Sequence, residues 1–193
     1  VRHGETSWNR ENRVQGRNDT PLSEAGTAQA ERLAESMEAE KIGLIITSPL
    51  QRAVETASII NRRINAPIEI DEDLMELDQG MFEGMNFREL SRDHGDFLKR
   101  WAADPASVAM PGGESLTGLQ ERAWRAMCRI TSSCDSTLAV SHNFTITTIL
   151  CKILDIPLSD FRRIRLDNAS KTIIETAEDT FRVIVINDTT HLE

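Results

Sequence analysis

Apolar residues recur along the chain with two alternating periods, one suited to helices and one to strands. Ala30, Leu33, Ala34 and Met37 share one face of a helix predicted over Glu24 to Glu40, and Gly43 ends it before the apolar run Leu44-Ile45-Ile46-Thr47. Ser48-Pro49-Leu50-Gln51 then reads as a capping box with proline at the first helical position. It opens a helix whose buried face carries Ala53, Ala57, Ile60 and Ile64. Ile68-Glu69-Ile70 is a short strand, followed by a loop-rich stretch containing Glu76, Gly80 and Gly84. Asn86 to Glu89 is a second capping box, and Phe87, Leu90, Phe97, Leu98 and Trp101 predict a helical, cap-like excursion around 86–110, interrupted at Gly95. After Pro111-Gly112-Gly113-Glu114-Ser115, a helix with Leu116, Leu119, Ala123, Met127 and Ile130 leads into a strand over Thr137 to Ser141, and another helix runs from Phe144 to Leu154. The chain closes on a hairpin, Thr172 to Thr176 and Phe181 to Ile186, around Glu178-Asp179-Thr180. Strands feeding straight into helices are an α/β signature, and the hairpin makes the sheet mixed, mostly parallel. No repeat or linker interrupts the pattern, so residues 1–193 are expected to form a single domain.

Composition narrows the function classes. The 193 residues are 39% hydrophobic and 27% charged, enough for a real core, and no window approaches the roughly 18 apolar residues of a membrane span. With 31 acidic against 22 basic residues the formal net charge is -9, a field that repels nucleic acid and acidic lipid surfaces. Neither a nucleic-acid nor a membrane partner is expected, and any anion site must be a local exception. The three cysteines, Cys128, Cys134 and Cys151, form no C-x-x-C pair, which points to a reducing, cytoplasmic setting. The chain opens on Val1 without an initiator methionine, leaving an upstream segment, a signal peptide included, open.

Three strand ends carry the candidate chemistry. Val1 reads as the last residue of a strand that delivers Arg2-His3-Gly4, the second strand delivers Ser48 to Arg52 at a helix start, and the strand at Thr137 to Ser141 delivers His142. Ligands of open α/β sheets bind outside such carboxyl ends. Two guanidiniums, two imidazoles and helix N–H groups together suit a phosphate dianion, because arginine forks match its oxygens and helix N-termini favour negative charge. No G-x-x-x-x-G-K-[ST] loop and no evident magnesium cage of carboxylates is present, so a side chain is expected to be the nucleophile, with no metal and no cofactor. His94 and His191 lie outside these strand ends and read as solvated or core histidines. Gly26, Gly112, Gly113 and Glu114 read as packing and turn residues.

Arg2-His3-Gly4-Glu5-Thr6 with Trp8-Asn9 and Gln15-Gly16 resembles the signature of the histidine phosphatase superfamily, the phosphoglycerate mutase-like family. Asp19-Thr20-Pro21-Leu22-Ser23, Gly26, Ser48-Pro49-Leu50-Gln51-Arg52-Ala53, Glu76, Pro111-Gly112-Gly113-Glu114-Ser115 and Ser141-His142 follow in the family's order, so the resemblance covers essentially the whole chain. It implies a three-layer α/β/α sandwich and a phosphohistidine mechanism. On that resemblance His3 is the nucleophile, with Arg2, Arg52, His142 and Asn9 holding the phosphoryl oxygens. Thr6, Gln15, Gly16 and Asn143 complete the phosphate pocket. Glu76 is the acid that protonates the leaving oxygen and then activates water, although Asp73, Asp78 and Glu83 lie close by in sequence.

Glu76 is followed by Leu77-Asp78-Gln79-Gly80 rather than the E-R-H-Y-G of cofactor-dependent mutases. The stretch from Glu89 through Trp101, Asp104-Pro105 and Ser115 is similar to phosphatases of the α-ribazole-phosphate and broad-specificity types. The resemblance therefore implies a metal-independent phosphatase of a small phosphomonoester, with a homodimer left open. A cofactor-dependent phosphoglycerate mutase and a non-catalytic phospholigand-binding module on the same fold are the alternatives. Two departures stand out: Asn143-Phe144 follows His142 where many relatives have glycine, and only Val1 of the family's first strand is in the sequence, so about four or five apolar residues are expected upstream. Phe82, Met85, Trp101 and Met110 read equally as core residues and as candidate lid residues.

Overall fold

The computed structural model describes residues 1–177 and 180–193; the Glu178-Asp179 turn of the expected hairpin lies outside the described residues. Its elements run α1 (Ser7–Arg10), α2 (Glu24–Ser36), β1 (Leu44–Thr47), α3 (Gln51–Ile64), β2 (Ile68–Ile70), α4 (Phe87–Asp93), α5 (Gly95–Ala103), α6 (Leu116–Ser133), β3 (Thr137–Val140), α7 (Asn143–Ile153), β4 (Lys171–Ala177) and β5 (Thr180–Asp188). Strands β2, β1 and β3 lie parallel in that order, and β4 and β5 pair antiparallel.

Residues 1–3 join the two sheets. Arg2 forms a parallel bridge with Ser141 just past β3, and on its other side the Arg2 N–H donates to Ser170 O at 3.2 Å while Ala169 N–H donates to His3 O at 3.0 Å. The mixed, mostly parallel arrangement expected from the hydrophobic pattern is thus realised through this short segment. A cavity of about 290 Å³ lies between β3 and β4, lined by Val1, Met37, Ile42, Leu138, Ile173 and Ile174 among others.

The period-two alternation of β1 sorts its side chains onto two faces. Ile45 joins Leu138 and Val140 of β3 against Leu33 and Ala34 of α2 and Ala53, Ala57 and Ile60 of α3. Leu44 and Ile46 face the opposite way, against Ala126 and Ile130 of α6. Helices therefore cover both faces of the sheet, the three layers that buried parallel strands require. The excursion rests on a separate apolar cluster in which Leu77, Phe82, Leu90, Trp101 and Met110 meet Leu116 and Leu119 of α6, Cys151 of α7 and Phe161. Phe82, Trp101 and Met110 are buried there, with Met85 packed against them, so these four candidate lid residues belong to the core.

Two local expectations are corrected. Helix α2 stops at Ser36 rather than Glu40. Its last turn has no basic residue, and Glu35, Glu38 and Glu40 set negative charge against the negative end of the helix dipole. Ser48 does not cap α3 either, since Leu50 occupies the N-cap without a side-chain bond and the first helical N–H, that of Gln51, donates to Asp19 Oδ1 at 2.6 Å. A cap supplied from elsewhere in the chain leaves the Ser48 hydroxyl for another partner. The other capping box, Asn86 with Glu89, forms as the sequence predicts and opens α4, which breaks at His94 before α5.

Candidate active site

The three strand ends converge on one buried pocket. The His3 backbone is pinned on both sides, its N–H donating to Ser141 O at 3.0 Å and its carbonyl accepting from Ala169 N–H at 3.0 Å and Asn168 Nδ2 at 3.3 Å. Gly4 and Gly26 let this segment lie against the start of α2, for a Cβ on Gly26 would sit 1.9 Å from the Glu5 carbonyl oxygen. The packing role expected of Gly26 is what the backbone requires. Ala169, beside His3, holds φ at +55°, a left-handed conformation that alanine rarely takes and that the surrounding bonds enforce.

His3 and His142 are both buried, with ring centroids 5.1 Å apart. His3 Nδ1 donates a hydrogen bond to the Gly4 carbonyl at 2.7 Å, which leaves Nε2 unprotonated, and Arg52 Nε donates to that nitrogen at 3.3 Å. Burial first, and then Arg52 and Arg2, hold the His3 pKa well below the ordinary 6.5. His142 is held down by burial first and then by Arg52 and His3. Two neutral imidazoles beside two guanidiniums is the state a nucleophilic histidine needs.

Arg52, at 1% exposure, lies in the first turn of α3 and is fixed by the chain opposite: Nη1 donates to Asn18 O at 2.9 Å and Nη2 to Gly16 O at 2.8 Å. Burial lowers its pKa to about 10, so it stays charged at neutral pH. Gly16 itself holds φ at +53°, and a Cβ there would overlap the Glu83 carboxylate, which accepts the Arg17 N–H at 2.7 Å. Arg2 donates through Nη1 to Leu166 O at 2.5 Å, while its Nε is buried without a partner. His142 Nδ1 is likewise buried and unpartnered. Buried polar groups are nearly always satisfied, so two orphaned nitrogens in one pocket beside a charged arginine fit the oxygens of a bound anion.

Glu76 completes the cluster from the loop after β2. It is buried; Oε1 accepts the Leu77 N–H at 2.8 Å and Oε2 accepts the Phe144 N–H at 3.3 Å, in the first turn of α7. Burial raises its pKa above the ordinary carboxyl value, against the opposing pull of Leu77, Arg52, Phe144 and Arg2. Of the neighbouring acids, Asp73 pairs with Arg125 and Arg129, Asp78 with Arg17, and Glu83 holds backbone N–H groups, so Glu76 alone is turned toward both arginines.

The remaining predicted residues divide into two kinds. Asn9 sits in α1 with Oδ1 accepting from Thr6 N at 3.0 Å and Asn168 Nδ2 at 3.1 Å, which leaves its amide hydrogens uncommitted. Asn143 opens α7 directly after His142, and Phe144 supplies its N–H to Glu76 rather than to the phosphate pocket. Thr6 and Gln15 are buried and tied to one another, Thr6 Oγ1 donating to Gln15 Oε1 at 2.8 Å, with Thr20 donating to the same oxygen at 2.9 Å. Thr6 therefore shapes the pocket floor. His94 packs tilted against Phe82 with ring centroids 5.0 Å apart, and His191 Nε2 lies 3.1 Å from Ala169 O; neither enters the pocket.

Three contributors escape a reading of the sequence. Asn168 holds both the His3 carbonyl and the Asn9 amide. Ser48 Oγ lies 2.7 Å from His142 Nε2. Arg122, buried on α6, donates to the carbonyls of Asp73, Met75 and Glu76 at 2.9, 2.6 and 2.8 Å and pairs with Glu114, whose Oε1 also accepts the Asp78 N–H at 2.9 Å. The eight-residue spacing from Glu114 to Arg122 was the available signal, but it spans a helix start and needs the acid loop folded beneath it to acquire meaning. Among the described residues no group of three or more His, Cys, Asp or Glu is placed to hold a metal ion, and no helix is long and apolar enough to cross a membrane.

Comparison with known proteins points the same way. The profile of the histidine phosphatase superfamily (branch 1) matches residues 1–189. Phosphoserine phosphatase 1 of Hydrogenobacter thermophilus is 32% identical over 194 residues, covering 100% of this chain and 92% of that protein. A Salmonella choleraesuis protein named "Probable phosphoglycerate mutase GpmB" is 33% identical over 200 residues, covering 100% of this chain and 93% of its own length. Among solved structures, Bacillus stearothermophilus YhfR superposes with a TM-score of 0.94 at 34% identity, over 100% of this chain and 97% of that one.

Proposed function

The chain belongs to the histidine phosphatase superfamily, and from that membership we propose that it hydrolyses a small phosphomonoester through a phosphohistidine on His3, without a metal. The observation that carries this reading is a neutral His3 whose unprotonated Nε2 accepts, among the described residues, only from Arg52 Nε, beside the unpartnered nitrogens of Arg2 and His142. His3 Nε2 attacks phosphorus and the ester oxygen departs, taking a proton from Glu76. Water then gives a proton to Glu76 as its oxygen bonds to phosphorus, and the P–Nε2 bond breaks to release orthophosphate and restore His3. Arg2, Arg52, His142 and Asn9 hold the oxygens across which charge spreads in the transition state. Uncatalysed monoester hydrolysis is slow enough that enzymes accelerate it by up to about 10²¹-fold, so the cluster must act as a unit.

The mutase-named relative favours a second reading, in which the phosphoryl group returns to the product rather than to water. Leu77-Asp78-Gln79-Gly80 after the acid supports hydrolysis instead. Orthophosphate release from phosphoserine, 3-phosphoglycerate, α-ribazole phosphate and a sugar phosphate, measured with a chelator present throughout, separates the two. Release is expected from at least one ester, with none from His3→Ala and an acid-labile phosphoryl group trapped on His3 in the parent protein. Exchange that requires a bisphosphate primer would establish the mutase; phosphate binding without turnover would establish a binding module. Loss of turnover on chelation would overturn metal independence.

A further inference from the structure

The two histidines of the site are tied to Gly4 and Ser48 by opposite ring nitrogens, and His3 Nε2 also accepts from Arg52 Nε at 3.3 Å. His3 is held through Nδ1 by the Gly4 carbonyl, which fixes its tautomer because a carbonyl only accepts. His142 is held through Nε2 by Ser48 Oγ at 2.7 Å, a contact in which either partner can be the donor. The surroundings of Ser48 decide between them. Ser48 is fully buried, its Oγ already accepts the Leu50 N–H at 3.3 Å, and among the described residues His142 Nε2 is the one acceptor its hydroxyl hydrogen can reach. Were His142 Nε2 protonated, that hydrogen would be buried with no acceptor, an arrangement proteins avoid.

We propose that Ser48 is a positioning residue: it donates its hydroxyl proton to His142 Nε2 and so locks His142 as the Nδ1–H tautomer, which presents a donor to the phosphoryl oxygens. The orphaned atom of the ring is Nδ1, the nitrogen that this lock protonates. The opposite tautomer would turn a lone pair toward those oxygens and repel them. The same serine explains the displaced helix cap. Asp19 serves the Gln51 N–H, and Ser48 is thereby free to face His142 across the sheet end rather than close its own helix.

The consequence for binding rests on the phosphate reading of the pocket; the tautomer does not. Long-range proton–nitrogen correlation spectra of nitrogen-isotope-labelled protein report which imidazole nitrogen carries the hydrogen, with His142 assigned by loss of its signals in His142→Gln. His142 of the parent protein is expected to show a protonated Nδ1 and an acceptor Nε2. Ser48→Ala is expected to give a tautomer mixture, to weaken inhibition by orthophosphate about tenfold and to lower kcat/KM by about tenfold or more, and Ser48→Thr, which keeps the hydroxyl, to recover the single tautomer. A protonated Nε2 in the parent protein overturns the proposal even if Ser48→Ala does not fold. So does a Ser48→Ala protein with an unchanged tautomer and unchanged orthophosphate inhibition. A parent protein that shows the expected tautomer but hydrolyses no ester would refute the hydrolase reading while leaving the lock in place.

Discussion

The candidate active site and the helical excursion beside it are held in place by different physics. In the pocket, His3, Arg52 and Glu76 are each buried and each hydrogen-bonded to backbone from a distant part of the chain, at Ser141, Gly16 and Phe144. In the excursion, α4 and α5 are held by apolar packing of Leu90, Trp101 and Met110 on α6 and α7, while Met81 and Phe87 are turned outward at 62% and 56% exposure. The two regions touch where Trp101 meets Phe144, ring centroids 6.1 Å apart, and Phe144 gives its N–H to Glu76. Directional bonds fix atoms to fractions of an ångström, which phosphoryl transfer needs. Apolar packing tolerates exchange of similar volumes.

The largest effect that tests this contrast belongs to Arg52. Arg52→Gln should lower kcat/KM by roughly 10³-fold, because it removes a buried cation from the oxygens of the transition state. The variant should also move the acid limb of the kcat/KM profile upward. The sign follows from the causes: Arg52 lowers the His3 pKa, so its loss lets His3 take up a proton at higher pH and withdraws the nucleophile there. Because burial is the larger cause, the limb should stop short of the ordinary histidine value of 6.5. An acid limb that stays in place in Arg52→Gln would show that Arg52 does not keep His3 neutral.

Glu76→Gln comes next, at about 10²-fold in kcat for esters with poor leaving groups and much less for an aryl phosphate, whose leaving oxygen needs no proton. Burial raises the Glu76 pKa, so the acid form needed for the first step is present below that pKa and is lost as pH rises through it. The alkaline limb seen with poor leaving groups should accordingly flatten in Glu76→Gln. Orthophosphate inhibition should persist, since Arg2, Arg52 and His142 remain, and its disappearance would assign Glu76 to binding.

Arg122→Met should cost about tenfold in kcat with little change in KM. The guanidinium holds the carbonyls of Asp73, Met75 and Glu76, so its removal loosens the acid loop without touching the phosphate-facing arginines. The Glu114 carboxylate loses its main partner as well, and the melting temperature should fall. Equal losses in kcat and in orthophosphate affinity would mean that Arg122 supports the whole pocket rather than the acid loop.

These residues also mark where sequence is informative. Arg2, His3, Arg52 and His142 were legible because each stands at a strand end or in a first helical turn, and the hydrophobic pattern alone brings strand ends together. Glu76 was legible only through motif order, since three acids surround it in sequence and only burial tells them apart. Ser48 was misread because its local signal, a serine three residues before a glutamine, is a true helix-cap pattern that Asp19 overrides from another segment. Asn168 carries no local signal, because its partner His3 lies 165 residues away, and the Glu114–Arg122 spacing gains meaning only from carbonyls such as that of Glu76, 46 residues away. The buried aromatic residues are open in sequence for a related reason: a short helix with apolar residues on one face does not say whether that face meets a core or a ligand, and packing decides for the core.

The smallest predicted effect cuts the comparison most finely. If the pocket is indifferent to the alcohol while exposed apolar side chains outside it are not, Met81→Ala and Phe87→Ala should leave kcat for a small ester within about twofold. They should shift KM by a few fold for a bulky, apolar ester, the size expected for removing one exposed apolar contact. Both side chains are exposed, so stability should hardly change. The comparison is drawn from ratios of kcat/KM between a small and a bulky ester, measured in the same preparation so that active fraction cancels. An equal fall for both esters would mean that the excursion acts on the pocket through Phe144 and Glu76, and the two regions would then be one mechanical unit.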